Sequence, residues 1–70
     1  MVKLISNTNT QSFAKIVLEE DSVGTYVFIF ETAQSQFPER DYLQNNLTLA
    51  QEICLEDYGV PLSSWRPFGA

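Results

Sequence analysis

Three kinds of side chain in this sequence have the types and spacing to do chemistry. Glu19, Glu20 and Asp21 stand side by side, as do Glu56 and Asp57, and Tyr26, Tyr42 or Tyr58 could join such carboxylates in an acid–base or ligand-binding site. Cys54 is a lone thiol, and Trp65, Arg66, Pro67 and Phe68 gather residue types that dominate protein-binding hot spots. Each group also has a plainer reading. Neighbouring carboxylates at a turn or a helix end are ordinarily solvated surface. The Glu-Glu-Asp run lacks the alternating acids and central glycine of a calcium loop. With no histidine and one cysteine, nucleophile–base pairs have no base and common zinc sites have too few ligands. No catalytic residue, cofactor-binding residue or metal ligand is assigned, and no cofactor is expected.

The elements that must position these residues form one small unit. A chain of 70 residues buries only ~60% of its unfolded surface, enough for one thin core of two layers. A hydrophobic fraction of 44% and nine aromatic residues suit a folded chain. The balance of nine acidic to four basic residues leaves a net charge of −5, and Lys3, Lys15, Arg40 and Arg66 are too few and scattered to neutralise phosphates. Neither nucleic acid nor an anionic membrane surface is expected as a partner. The N-terminus lacks the apolar core of a signal peptide, and no long apolar run appears. The expected setting is the bacterial cytoplasm.

Alternation predicts strands at about 2–6, 12–19 and 25–32. In the second, Ala14, Ile16 and Leu18 share one side and Phe13, Lys15 and Val17 the other; in the third, Tyr26, Phe28 and Phe30 oppose Val27, Ile29 and Glu31. The short connection around Gly24 predicts an antiparallel hairpin. Pro38 keeps Phe37 out of helical dihedrals, so a helix is expected over about 41–58. Asp41 is a good N-cap, with Glu39 and Arg40 as the alternative of an earlier first turn; Leu43, Leu47, Ala50, Cys54 and Tyr58 form the apolar stripe, and Gly59 with Pro61 ends the helix. Cys54, on that stripe, reads as a small buried hydrophobe.

These elements predict an α+β domain: a two- or three-stranded antiparallel sheet on one C-terminal amphipathic helix, followed by an aromatic tail. One helix covers one sheet face. Either the Tyr26, Phe28, Phe30 row or the Val27, Ile29 row must then find cover elsewhere. Val60, Leu62, Trp65 and Phe68 make the tail too apolar for free solvation, so it should fold back, with Trp65 closing the core.

The segments VFIFET and RDYLQNNLTLAQEICLEDYGVP, followed by a tryptophan, resemble a group of short acidic bacterial proteins of uncharacterised function. The matching positions are Asp41, Tyr42, Leu43, Gln44, Tyr58, Gly59, Val60 and Trp65, within a little over half of the chain. That resemblance implies a fold-sized unit and no assigned activity. The run IVLEEDSVGTYVFIF is similar in layout to the small domain of HicB-type antitoxins, where a strand, an acidic turn and an aromatic strand precede a helix. The Pro-Gly-Cys-type turn before the helix is missing, and no DNA-binding segment follows.

Two functions compete on this reading. The first is a non-enzymatic interaction module meeting a protein partner or a second copy, with homodimerisation favoured and Phe28, Phe30, Glu56, Asp57, Trp65 and Phe68 as contact residues. The second is a small enzyme or ligand-binding protein whose carboxylates and tyrosines build a site at a subunit interface.

Overall fold

A computed structural model describes residues 2–7, 13–32 and 34–68. The fold is α+β: β1 (Lys3–Ser6), β2 (Lys15–Asp21), β3 (Gly24–Phe30), β4 (Arg40–Gln44), α1 (Leu47–Tyr58), a 3-10 turn (Leu62–Ser64) and β5 (Arg66–Pro67). The strands form one sheet in the order β4-β3-β2-β1-β5, and every pairing is antiparallel. The sheet is thus five-stranded, where the sequence pattern predicted two or three strands.

β2 and β3 carry the alternation that builds the core. Ile16 and Leu18 from β2 and Val27 and Ile29 from β3 are buried on one face and meet Ala50 and Cys54 of α1. The turn between them is short, since Asp21 pairs with Gly24 across Ser22 and Val23. Phe13 departs from its predicted side. It precedes β2, outside the pleat that governs alternation, and its ring turns into the core edge-on to Tyr58, with 5.7 Å between centroids.

The helix predicted over 41–58 is shorter, because its first residues form a strand. Arg40–Gln44 lies along the outer edge of β3, pairing Tyr42 with Val27 and Leu43 with Tyr26. Leu43 and Leu47 are four residues apart, a spacing that imitates a helical stripe, and only the free β3 edge distinguishes the two conformations. The N-cap is Asn46 rather than Asp41. Asn46 is extended at φ −158 and ψ 171, and its Oδ1 accepts the Leu49 N–H at 2.8 Å. The remaining stripe keeps its role, with Ala50 and Cys54 buried and Leu47 and Tyr58 packed against the core. Gly59 ends the helix in the left-handed conformation at φ 68. Asn46→Ala removes the cap and is expected to cost about 1 kcal/mol, lowering the melting temperature of a domain this size by about 4–8 °C in a calorimetric scan.

The tail folds back. Val60 is fully buried, Trp65 packs against the core, and β5 adds to β1 with Leu4 opposite Pro67 and Ile5 opposite Arg66. The Ser6 and Ser64 hydroxyls hydrogen-bond at 2.8 Å, and the Phe68 N–H donates to the Lys3 carbonyl at 2.9 Å. Among the described residues, no helix is long and apolar enough to cross a membrane.

Candidate interaction face

Because α1 lies on the Ile16/Leu18/Val27/Ile29 side, the opposite face of the sheet carries every second residue with no helix over it. Register orders that face into transverse rows. One runs Asp41, Phe28, Val17, Ile5, Arg66 from β4 to β5; the next runs Leu43, Tyr26, Glu19, Lys3 and ends beside Phe68. Phe30 and Lys15 begin a third. Tyr26 and Phe28 stack at 5.8 Å with 14° between their planes. The Lys15 ammonium stands 4.7 Å above the Phe30 ring and that of Lys3 5.6 Å from the Phe68 ring. Lys3 also pairs with Glu19 at 3.8 Å, both side chains about two-fifths exposed. At surface exposure that pair contributes no more than ~1 kcal/mol.

The connection from β3 to β4 forms a wall at one end of this face. Glu39 accepts the Glu31 N–H at 2.8 Å and the Ser35 hydroxyl at 3.1 Å, closing the segment. The backbone N–H of Glu31 is the main influence holding the Glu39 carboxyl below its usual range. Ser35, Gln36 and Pro38 border a groove of about 490 Å³ floored by Phe28, Phe30 and Val17, with Lys3, Lys15 and Phe68 along its rim.

Charge divides between the two sides. Lys3, Lys15 and Arg66, three of the four basic residues, stand on the open face beside Glu19, Asp21 and Asp41, so this face is balanced. Arg40 and the other six acids lie elsewhere and carry the whole net charge of −5.

A second, smaller cleft of about 220 Å³ sits between β4 and α1. Val27, Tyr42, Asp57 and Tyr58 line it, and the Arg40 guanidinium lies 5.9 Å from the Tyr58 ring. Burial raises the Tyr58 phenol above the ordinary range, and the adjacent Tyr42 hydroxyl pushes it the same way while Arg40 opposes. The Cys54 thiol also borders this cleft, yet Cys54 is fully buried, which with the nearby Asp57 charge pushes its pKa to about 11. A thiol so rarely ionised is a poor nucleophile at neutral pH.

The residues singled out in the sequence divide between these places. Phe28 and Phe30 lie half-buried on the open face, and Phe68 joins them at its edge, 39% exposed. Trp65 turns toward the core, where its indole N–H finds no hydrogen-bond partner among the described residues. Glu56 and Asp57 are exposed on the last turn of α1, on the other side of the sheet from the aromatic face. Asp41 beside Phe28, Leu43 beside Tyr26 and Arg66 beside Ile5 were missed as members of this face. The alternation within RDYLQ was the available signal, and the helical spacing of Leu43 and Leu47 masked it. Among the described residues, no group of three or more Cys, Asp or Glu side chains is placed to hold a metal ion.

No family model, curated protein or solved structure matched the chain.

Proposed function

We propose that this chain is a non-enzymatic protein-interaction module that docks a partner on the open face of its sheet, in the bacterial cytoplasm. The observation that carries this reading is the row Tyr26, Phe28 and Phe30, large rings left half-exposed on a face that α1 does not cover. Contiguous apolar surface of this kind on a small acidic domain favours association, and aromatic and Lys or Arg contacts there would supply both area and orientation. Phe28→Asp places a charge in the centre of that face. Wild type is expected to capture a protein from its native cell that Phe28→Asp loses, while Glu56→Lys on the helix retains it. Far-ultraviolet circular dichroism should show all three folded. Equal capture by Phe28→Asp and wild type would refute the reading.

A ligand-binding function in the Tyr42/Tyr58 cleft is the second reading, supported by the convergence of two phenols, Asp57 and Arg40. Its 220 Å³ falls below the ~300 Å³ usual for a small-molecule site, so it ranks second.

A further inference from the structure

Resting on the reading of the open face as a docking surface, we infer that its occupant is a second copy of this chain, packed face to face about a two-fold axis parallel to the strands. The row Asp41, Phe28, Val17, Ile5, Arg66 places an acid at one lateral edge, a base at the other and apolar groups between. Four strand spacings of ~4.8 Å separate Asp41 from Arg66, so one molecule cannot pair them. Both are exposed, and among the described residues neither forms an ion pair. A two-fold along the strands reverses the strand order and leaves position along the strands unchanged. It therefore lays Asp41 over the partner copy's arginine edge, Phe28 over the isoleucine position and Val17 over itself. Both edges are satisfied at once, as an isologous contact requires.

The neighbouring row follows the same reversal. Leu43 meets the Phe68 position and Tyr26 meets the Lys3 position, a ring and a cation. Because the axis follows β2, Lys15, Glu19 and Asp21 each face their own counterparts; the Lys3 ammonium, 3.8 Å from Glu19, offsets the repulsion nearest the centre, and Lys15 and Asp21 lie at the two ends of the strand. The alternative axis, across the strands, would instead set Asp41 on Asp41 and Arg66 on Arg66. The wall at Ser35, Gln36 and Pro38 leaves β3 after Phe30, so two copies related along the strands carry their walls at one end and on opposite sides of the axis. The strands, of four, seven, seven, five and two residues, at ~4.8 Å between strands and ~3.3 Å per residue give a footprint of about 400 Å², or about 800 Å² in total for the pair. That is the size of a weak, transient contact, so the dimer is expected to be reversible and populated at high protein concentration.

Sedimentation equilibrium on the full chain, from micromolar to millimolar concentration, tests the arrangement. Wild type is expected to dimerise reversibly, and less so at high salt. Asp41→Arg and Arg66→Asp should each weaken dimerisation about ten-fold, whereas an equimolar mixture of the two should recover wild-type affinity, because both edges of the mixed dimer are again complementary. Asp41→Asn and Arg66→Gln give the same direction with less perturbation should a reversal impair folding. A strictly monomeric wild type overturns this inference while the capture experiment still judges the docking reading. A dimer indifferent to both reversals, or a mixture with no recovery, overturns the stated axis. A dimer that survives Phe28→Asp overturns the use of the open face by the second copy, and the capture experiment again judges the docking reading separately.

Discussion

Gly24→Ala is expected to detach β4 from the sheet and to remove a large share of the stability of the protein. Gly24 opens β3 with φ at +145, a region that residues with a Cβ seldom enter, at a cost of about 1–3 kcal/mol. A Cβ there would overlap the Gln44 carbonyl oxygen and stand 3.2 Å from the Leu43 side chain. That oxygen belongs to β4 at the point where Thr25 pairs with Gln44, so it cannot retreat without opening the ladder. Adding ladder disruption of about 1–2 kcal/mol gives a total near 2–5 kcal/mol. A domain of 70 residues has about 3.5–10 kcal/mol in all, so the loss is a large share. Gly59→Ala is the internal control. Its φ is also positive, at 68, but no atom lies within 4 Å of the added carbon, so only the left-handed penalty of about 1–2 kcal/mol remains. Urea denaturation of both variants checks the ranking, and equal destabilisation would show that backbone strain, not contact with β4, sets the cost.

Leu18→Ala should have an effect of the same order through a different mechanism. Leu18 is fully buried on β2, the middle strand of the sheet, with Leu4 and Val27 opposite it on the flanking strands. Truncation removes apolar burial and leaves a cavity between two paired neighbours that cannot close without breaking ladders, for an expected loss of about 2–5 kcal/mol. Leu55→Ala, on α1 and 44% exposed, should change stability by no more than about 0.5 kcal/mol. Comparable losses at the two leucines would mean that the core does not lie between β2 and α1.

Much of this core was legible in the sequence. Ile16, Leu18, Val27 and Ile29 alternate at period two, and Leu47, Ala50, Cys54 and Tyr58 recur at helical spacing, because burial on one face selects apolar residues at the period of each element. Gly59 marked the helix end correctly, since its reason is local: a left-handed residue satisfies the last carbonyls. The helix start was not legible. Asp41 and Asn46 are both competent caps, and five residues of RDYLQ carry too little pattern to separate a first helical turn from an edge strand.

The candidate face was legible only in fragments. Phe28 and Phe30 announced an apolar row, yet Asp41 and Arg66 lie 13 and 38 residues from Phe28 in the chain and join its row only through sheet register. The sequence by itself determined an α+β chain with a β2–β3 hairpin and a helix ending at Gly59, since each rests on local periodicity, turn chemistry or capping. Tertiary structure alone decided that Arg40–Gln44 is a strand and that three of four basic residues collect on the face opposite α1. The physical reason is that an edge strand is stabilised by the backbone donors and acceptors of its neighbour, which no local run of side chains encodes.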